Sequence, residues 1–371
     1  MNNNFLKNNI LYYDLQISNL SNLPQRLSFS EIRGSEILNN PTEFYVAPSR
    51  FSIASVKIPI MKALVNLAQT DVNQLAYSFT MSYNGINYQQ FVEFIPENKL
   101  ITAPVLVNSL NLSNPYYFIY SYQHFINLLN TALTSCFIGL KNAVGSTFTF
   151  TNSKIYFDFD ITSAIPNLVA DLTQYDDNIS SGRITLYCNE YLSTLLSSFM
   201  LYTYEYNEPN GKHAQLRIFG LPNDSNVMNF DTYNAYSMYS AYSVVNLWNC
   251  ISCIRITTTL PIASSIISPP KLIFSDSNNL NNTQNSNLTS AILTDFAIND
   301  IYGYVSGGSI DYTATGLLRF VEMFSEHPIY AITLDFYFVL KNGIEIPIYL
   351  EPNTSANIKL NFRNKILGLS S

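Results

Sequence analysis

The chain has 371 residues, of which 47% are hydrophobic and only 12% are charged. This length supports a large hydrophobic core without disulfide or metal staples, and the charged share is about half of the roughly 25% typical of soluble proteins. A net charge of −7 argues against a protein that neutralises nucleic-acid phosphates. Scarce charge combined with 27 Tyr and 24 Phe indicates surfaces that are buried against other chains. The alternative is the codon bias of an AT-rich genome, although such a bias would also raise the share of Lys.

The N-terminal sequence has neither a cationic start nor a continuous apolar stretch, so no secretory signal is predicted. No apolar run reaches the roughly 18 residues that a membrane-spanning helix needs. With no secretion route visible, we expect the cysteines to be reduced and mostly buried. They are Cys136, Cys188, Cys250 and Cys253.

Short runs rich in β-branched and aromatic residues dominate the chain and predict a mainly β protein. The predicted strands are Arg50–Ile60, Ala76–Tyr83, Tyr88–Ile95, Thr147–Phe150 with Lys154–Phe159, Ile184–Cys188, Gln215–Phe219, Cys250–Leu260, Tyr330–Leu340 and Glu345–Leu350. Asn84-Gly85 and Asn342-Gly343 each separate two of these runs and predict hairpin turns, because both residue types tolerate a positive φ.

Two segments have helical periodicity instead. Apolar residues recur at three- and four-residue spacing over Ser121–Phe137, with Ser121 as the N-cap, and again over Asn189–Phe199. A hairpin is predicted between them, over Phe148–Phe159. The Asn-rich segment 276–289 predicts a long surface loop. The Tyr-rich segment 231–242 is interpreted either as exposed loop tyrosines that make contacts or as a packed tyrosine cluster.

Catalytic motifs are scarce. His124, His213 and His327 are far apart, and Cys250 and Cys253 have CxxC spacing within a strand pattern, without a second CxxC to complete four ligands. The sequence has no nucleophile elbow, phosphate-binding loop or dinucleotide fingerprint, and the glycines of 303–308 predict only a flexible loop. We therefore assign no catalytic, cofactor-binding or metal-binding residue and expect no cofactor.

Charged side chains leave two alternatives open. The acid pairs Asp158/Asp160 and Asp176/Asp177 match the carboxylate pair of a glycosidase, but Asp158 and Asp160 alternate with phenylalanines and are expected on the polar face of a strand. Near the C-terminus, Lys359, Arg363 and Lys365 form a small basic group that would contact packaged nucleic acid or an acidic neighbour. The simpler interpretation of this group is a solvated strand end.

Several phrases, taken in order, resemble the minor capsid (penton) proteins of virophages, such as Sputnik, and of polinton-like viruses. They are Tyr13–Asn19, Phe29–Arg33, Ile37–Pro41, Glu43–Tyr45, Ser49–Ile53, Ile58–Ile60, Gln123–Phe125, Asn130–Leu133, Leu186–Asn189 with Leu192, Trp248, Thr258–Ile262, Leu293–Phe296, and Gly343, Pro347-Ile348, Ile358–Leu360, Phe362 and Lys365 at the end. The match spans nearly the whole chain. The segments 231–242 and 276–289 depart from this pattern.

The resemblance implies a single jelly-roll β-sandwich with an inserted smaller α+β domain. On this basis, residues 1–120 and 241–371 form the lower jelly-roll domain, and residues 121–240 form an upper domain with two helices and a hairpin. It also implies a non-enzymatic homopentamer at the vertices of the virion, surrounded by major capsid protein trimers with a double jelly roll. A host or giant-virus receptor is a further possible partner.

Two other classes of protein share part of this pattern. A jelly-roll module that binds a carbohydrate or receptor would have the same fold and would present its tyrosines in a cleft. A glycoside hydrolase would hold two carboxyl groups about 5–10 Å apart in a groove.

Overall fold

The structure is a computed structural model of the full chain. It describes residues 10–54, 57–97, 102–105, 114–160, 162–203, 211–219, 227–230, 233–263, 291–297, 310–313, 319–341 and 343–365. The segment 276–289 and the glycines of 303–308 lie outside the described residues.

Strands predominate among the described residues. In chain order they are β1 (Ile10–Ser18), β2 (Gln25–Arg26), β3 (Ser28–Ile32), β4 (Phe44–Ile53), β5 (Met61–Lys62), β6 (Gln74–Tyr83), β7 (Ile86–Glu93), β8 (Phe118–Ile119), β9 (Ile155–Asp160), β10 (Ile165–Asp171), β11 (Ile184–Cys188), β12 (Leu201–Thr203), β13 (Ala214–Leu216), β14 (Val227–Phe230), β15 (Tyr233–Tyr239), β16 (Ile251–Thr258), β17 (Ala291–Ala297), β18 (Ile310–Thr313), β19 (Val321–Glu322), β20 (Ala331–Leu340), β21 (Glu345–Pro347), β22 (Tyr349–Leu350) and β23 (Ser355–Asn364). The α-helices are α1 (Tyr122–Val144), α2 (Leu172–Tyr175), α3 (Glu190–Leu195) and α4 (Val245–Trp248).

The chain divides into two compact units. Unit 1 comprises residues 1–58 and 251–371, and unit 2 comprises residues 59–250. The sequence instead predicted breaks after residues 120 and 240. In the structure, residues 59–120 and 241–250 group with the central segment rather than with the outer ones. The assignment of a jelly roll to the outer segments stays a prediction.

Unit 1 contains two antiparallel sheets that pack face to face. Sheet 1 has the order β1-β23-β4-β18, with β19 also paired to β4. Sheet 2 has the order β17-β16-β20-β21, with β3 also paired to β20. Phe51 of sheet 1 stacks on Phe336 of sheet 2 with ring centroids 4.8 Å apart, and Phe296 lies 6.0 Å from Phe51. Alternating apolar side chains therefore form a sandwich core.

Unit 2 is built around helix α1 and two further sheets. Sheet 3 has the order β12-β13-β11-β6-β7, and sheet 4 has the order β14-β15-β10-β9. Helix α1 contacts strands of both sheets: Phe125 lies 6.3 Å from Tyr77 of β6, and Tyr122 stacks 5.3 Å from Phe159 of β9. The apolar stripe of α1 is thus the centre of the core of unit 2.

Local signals explain where α1 begins and how closely it packs. The hydroxyl of Ser121 accepts a hydrogen bond from the backbone N–H of His124 at 3.2 Å, which confirms Ser121 as the N-cap. The helix continues to Val144, seven residues beyond the predicted end, and Gly145 terminates it with a φ of 75°. Gly139 faces Tyr88 of β7, and a Cβ at this position would lie 2.1 Å from the tyrosine ring.

Most predicted strands and both helices are confirmed. The Asn84-Gly85 turn joins β6 and β7 with φ values of 47° and 84°, and Gly343, with a φ of 82°, lies between β20 and β21. Asn342 itself is outside the described residues. The second predicted helix is confirmed in a shorter form, α3, with Asn189 as its N-cap.

Two predictions about local structure are wrong, and the Tyr-rich segment contains a strand that the sequence did not predict. The segment 147–150 is not a strand, and the hairpin of this region pairs β9 with β10 instead. The Tyr-rich segment contains the strand β15, which lies between β14 and β10 and is therefore held by pairing on both sides. The predicted strand Arg50–Ile60 is shifted, since β4 covers Phe44–Ile53 and Pro59 belongs to unit 2.

Candidate functional site

One acid of strand β9, Asp160, caps the start of a hairpin turn. Asp158 and Asp160 are exposed and alternate with buried apolar residues, as the sequence predicted. The carboxylate of Asp160 accepts hydrogen bonds from the backbone N–H of Thr162 at 2.9 Å and from the hydroxyl of Ser163 at 2.6 Å. These bonds, that of Ser163 first, hold the pKa of Asp160 below its usual value. A carboxylate kept ionised in a turn is poorly suited to act as a general acid.

In the second acid pair, Asp177 binds two arginine side chains. The buried carboxylate of Asp177 accepts from Arg183 Nη1 and Arg217 Nε, both at 2.6 Å, and from Gln215 Nε2 at 3.0 Å. Asp176 accepts from the backbone N–H two residues further on at 2.9 Å. Two guanidinium groups compensate one buried charge, so Asp177 stabilises the fold of unit 2 rather than forming a catalytic pair with Asp176.

One of these arginines, Arg217, also contacts an exposed aromatic ring. The guanidinium carbon of Arg217 lies 4.2 Å from the ring centroid of Tyr202 and 4.5 Å from that of Phe219. Tyr202 is 55% exposed on β12, an edge strand of sheet 3. The guanidinium group that lies against the Tyr202 ring is itself held by Asp177, so the ring is supported on one side, which suits a contact residue.

The Tyr-rich segment supplies both buried and exposed rings. Tyr236 of β15 is buried in the core of unit 2, whereas Tyr239 and Tyr242 are more than half exposed. The hydroxyl of Ser240 lies 2.6 Å from that of Ser198, which joins this segment to the residues before β12. Both interpretations of the segment therefore apply, each to different tyrosines.

The histidines are separate in the structure. His124 lies in the first turn of α1 with Nε2 2.6 Å from the carbonyl oxygen of Ile95, and the backbone N–H of His213 donates to the Cys188 carbonyl at 3.1 Å. Within the described ranges, no three His, Cys, Asp or Glu side chains gather around a common metal position.

All four cysteines are free thiols, and two of them are fully buried. Burial raises the pKa of both Cys136 and Cys188 to about 12, so these thiols stay protonated at neutral pH. Cys250 and Cys253 are half-buried, and burial also raises the pKa of Cys253. The expectation of burial is thus confirmed for two of the four residues.

The basic group near the C-terminus lies in strand β23 and just after it. Lys359 Nζ is 3.3 Å from a carboxylate oxygen of Asp14, and Lys365 Nζ is 2.6 Å from one of Glu322. Arg363 lies over the ring of Phe320 at 5.8 Å. Acids of the same chain pair with both lysines. Lys359 lies in the middle of β23, so only Arg363 and Lys365 lie at a strand end, and a contact of this group with nucleic acid or an acidic neighbour stays a prediction.

Strand β1 forms a long open edge of sheet 1. Within the described part of the chain, β1 pairs only with β23. Ile10, Leu11 and Tyr12 are exposed there, and Ile32, at the end of the neighbouring strand β3, is 81% exposed. Apolar side chains beside unpaired backbone groups are typical of surfaces that are covered on assembly.

A small polar cluster joins β1 to β3. The guanidinium carbon of Arg33 lies 5.1 Å from the ring centroid of Tyr13, and Arg33 Nε donates to a carboxylate oxygen of Glu31 at 2.7 Å. Burial first, and then the Glu31 carboxylate, raises the pKa of Tyr13 to about 12. This contact holds the edges of sheets 1 and 2 together on one flank of the sandwich.

Sequence reasoning did not predict the role of Asn130, whose side chain covers part of the edge of sheet 4. Its side-chain amide donates from Nδ2 to the Phe157 carbonyl at 2.8 Å, and its Oδ1 accepts from the Phe157 N–H at 2.7 Å. One amide thus satisfies both backbone groups of an edge-strand residue. The only sequence signal is an asparagine beside the apolar stripe of a helix, where asparagine is otherwise unfavourable.

Comparison with known proteins gives one consistent set of relatives. A family model described as Sputnik minor capsid protein V18/19 matches residues 11–364. The uncharacterized protein V18 of Sputnik virophage is 34% identical over 117 residues, which cover 30% of this chain and 70% of V18. The structural protein V19 of the same virophage is 28% identical over 215 residues, which cover 57% of this chain and 94% of V19.

Two solved structures are similar over nearly the full length. A chain of the 3.5 Å cryo-EM structure of the Sputnik virophage superposes with a TM-score of 0.74 and 27% identity, over 96% of this chain and 98% of that one. The mavirus penton protein, solved by crystallography, superposes with a TM-score of 0.58 and 15% identity, over 96% and 99% of the two chains. The second likeness shows the fold alone.

Proposed function

This chain belongs to the Sputnik minor capsid protein V18/19 family, and we propose that it forms the pentameric penton at the vertices of an icosahedral virion. It is a minor capsid structural protein, as the family description and the structural relative V19 indicate. The observation that carries the proposal is the full-length superposition on a chain of the Sputnik virion, at a TM-score of 0.74 and 27% identity.

The architecture of unit 1 supports a single jelly roll. Its two main sheets are antiparallel, and strands from both ends of the chain alternate within them, since β1 pairs with β23 and β3 pairs with β20. Such long-range antiparallel pairing in two facing sheets is typical of a jelly-roll sandwich. In the proposed penton, unit 1 is the jelly-roll domain and unit 2 is the inserted domain.

A penton requires contacts between identical chains that close into a ring. One flank of each chain meets the opposite flank of the next, because five-fold symmetry uses heterologous interfaces. Only 12% of the residues are charged, so we expect these interfaces to be mainly apolar and uncharged. Association of this kind depends weakly on ionic strength, because screening acts mainly on ionic contacts.

The mass of the purified protein tests the ring. We expect native mass spectrometry, over a range of concentrations up to the highest that stays soluble, to show monomers and pentamers without prominent dimers or trimers. Raising the salt concentration should leave the pentamer fraction nearly unchanged. Stable trimers would contradict the proposal and would favour a capsomer or receptor-binding role.

A second proposed role is binding of a host or giant-virus surface receptor by unit 2. The observation that favours it is the exposed ring of Tyr202, supported on one side, with Tyr239 and Tyr242 exposed on a segment joined to the one preceding β12. Exposed aromatic rings stack on the apolar faces of sugars. Tyr202→Ala should reduce attachment of virions to host cells without changing the protein content of the virion; unchanged attachment would remove this role.

A further inference from the structure

We propose that the open edge of strand β1 binds an extended segment of the capsid protein that surrounds the vertex, which joins sheet 1 as an additional antiparallel or parallel strand. This inference rests on the proposed function, since it names the contact through which the penton is held in the shell. The site consists of Tyr12, Asp14, Gln16 and Ser18 as backbone partners, with the side chains between them as the inner face.

The direction of the backbone groups follows from the pairing of β1 with β23. In an antiparallel pair, the residues that exchange hydrogen bonds alternate with residues whose N–H and C=O groups point away. The N–H of Asn19 donates to the carbonyl of Thr354 at 2.9 Å, in the same register as the pairs Ile17↔Ala356 and Leu15↔Ile358. The odd-numbered residues therefore face β23, and the even-numbered residues direct their backbone groups to the open edge.

Side chains along this edge indicate which sequence pattern an added strand would have. On the inner face, Tyr13 and Leu15 are buried and Leu11 is partly exposed, so an apolar residue beside Leu11 would extend the sandwich core. On the outer face, the side chain of Asp14 is 61% exposed although Lys359 lies 3.3 Å away. The matching segment alternates apolar and polar residues and places a lysine or arginine beside Asp14, since opposite charges stabilise cross-strand pairs.

Two other outer strands among the described residues offer no comparable edge. Asn130 occupies the backbone groups of Phe157 on the edge strand β9. The edge strand β12 is only three residues long. A nine-residue edge with exposed apolar residues is the kind that proteins otherwise cover, because it invites pairing with another chain.

The occupant is a different polypeptide rather than a second copy of β1. Two identical edge strands that pair with each other generate a two-fold axis and a closed dimer. Such a dimer is incompatible with a ring of five in which every chain has the same surroundings. Strand addition by an extended segment obtains its affinity from main-chain hydrogen bonds and its specificity from alternate side chains, which fits a contact with a neighbouring shell protein.

Residue-resolved hydrogen exchange tests the proposal on purified protein and on intact virions. In the purified protein, we expect the amides of Tyr13, Leu15 and Ile17 to be protected by β23 and those of Tyr12, Asp14 and Gln16 to exchange rapidly. In virions, the second set should slow by about tenfold or more, because a bound strand occupies those groups. Equal rates in the two samples would overturn the proposal. Protection already present in the purified protein would also overturn it, because it would assign the contact to a second copy.

A proline variant provides an independent test. Gln16→Pro removes an N–H that points to the open edge, and proline is tolerated on an edge strand whose N–H faces solvent. We expect the variant protein to melt within a few degrees of the parent but to be depleted from virions, whereas Gln16→Thr, which keeps the N–H, is incorporated normally. Normal incorporation of a folded Gln16→Pro would contradict the proposal. Suppose that pentamers occupy the vertices but that the amides of Tyr12, Asp14 and Gln16 exchange at the same rates in virions and in the purified protein. That result would contradict the strand contact without contradicting the penton assignment.

Discussion

Truncation of Leu129 should destabilise unit 2 strongly. Leu129 lies on the apolar stripe of α1 and is 0% exposed, within the core cluster that also includes Phe125 and Leu133. Leu129→Ala removes three carbon atoms, and at about 0.8 kcal/mol per buried methylene the transfer cost is about 2.4 kcal/mol. A cavity that does not collapse raises the total to about 5 kcal/mol. We therefore expect a loss of about 2–5 kcal/mol in the free energy of unfolding.

The single tryptophan makes this loss measurable for unit 2 alone. Trp248 is 1% exposed, its ring lies edge-on to Phe125 at 5.0 Å, and its Nε1–H donates to the Leu195 carbonyl at 2.9 Å. Urea unfolding followed by tryptophan fluorescence should give a lower midpoint for Leu129→Ala with an unchanged slope. The matched control is Ile138→Ala, on the exposed face of the same helix at 52% exposure, which should change the free energy by less than about 0.5 kcal/mol.

The result that would refute this reasoning is a midpoint for Leu129→Ala within error of the parent. It would mean that the stripe of α1 does not form the core of unit 2. An effect of equal size for Ile138→Ala would also contradict the account, because the two faces of the helix would then be equally buried.

Three further predictions concern other parts of the chain. Asn130→Ala should cost about 1–3 kcal/mol by leaving the edge of β9 unsatisfied, and Asn127→Ala, exposed on the same helix, should cost much less in the same urea assay. Alkylation at pH 8 followed by mass spectrometry should leave Cys136 and Cys188 unmodified, since their pKa values of about 12 keep them as thiols; rapid labelling would contradict their burial. Asp158→Asn should retain full infectivity and stability, and a substantial loss of either would reopen a functional role for the exposed acids of β9.

Local signals explain how much of the fold is predictable. The strand Ile184–Cys188 is predicted with its observed bounds, and the turn at Asn84-Gly85 is predicted because few residue types adopt positive φ on both sides of a tight turn. The β15 strand is not predicted because its tyrosines lack the period-two alternation of a half-buried strand. It is buried by pairing on both sides, which depends on residues far away in the sequence.

The open edge of β1 could not be predicted from the sequence, for a related reason. The strand β23 alternates polar and apolar residues clearly, but nothing local shows that its partner β1 lies more than 300 residues away. Whether β1 has one neighbour or two depends on the order of strands in sheet 1, which is a property of the whole unit. The role of Asn130 likewise depends on where β9 packs and not on the helix that carries it.

The position of this protein in intact particles tests the central claim most directly. Cryo-electron microscopy of the virion, with icosahedral averaging, should place density that fits both unit 1 and unit 2 at the five-fold vertices, with five copies around each axis. Density for this chain in the trimeric capsomers, or its absence from purified virions, would contradict the penton assignment.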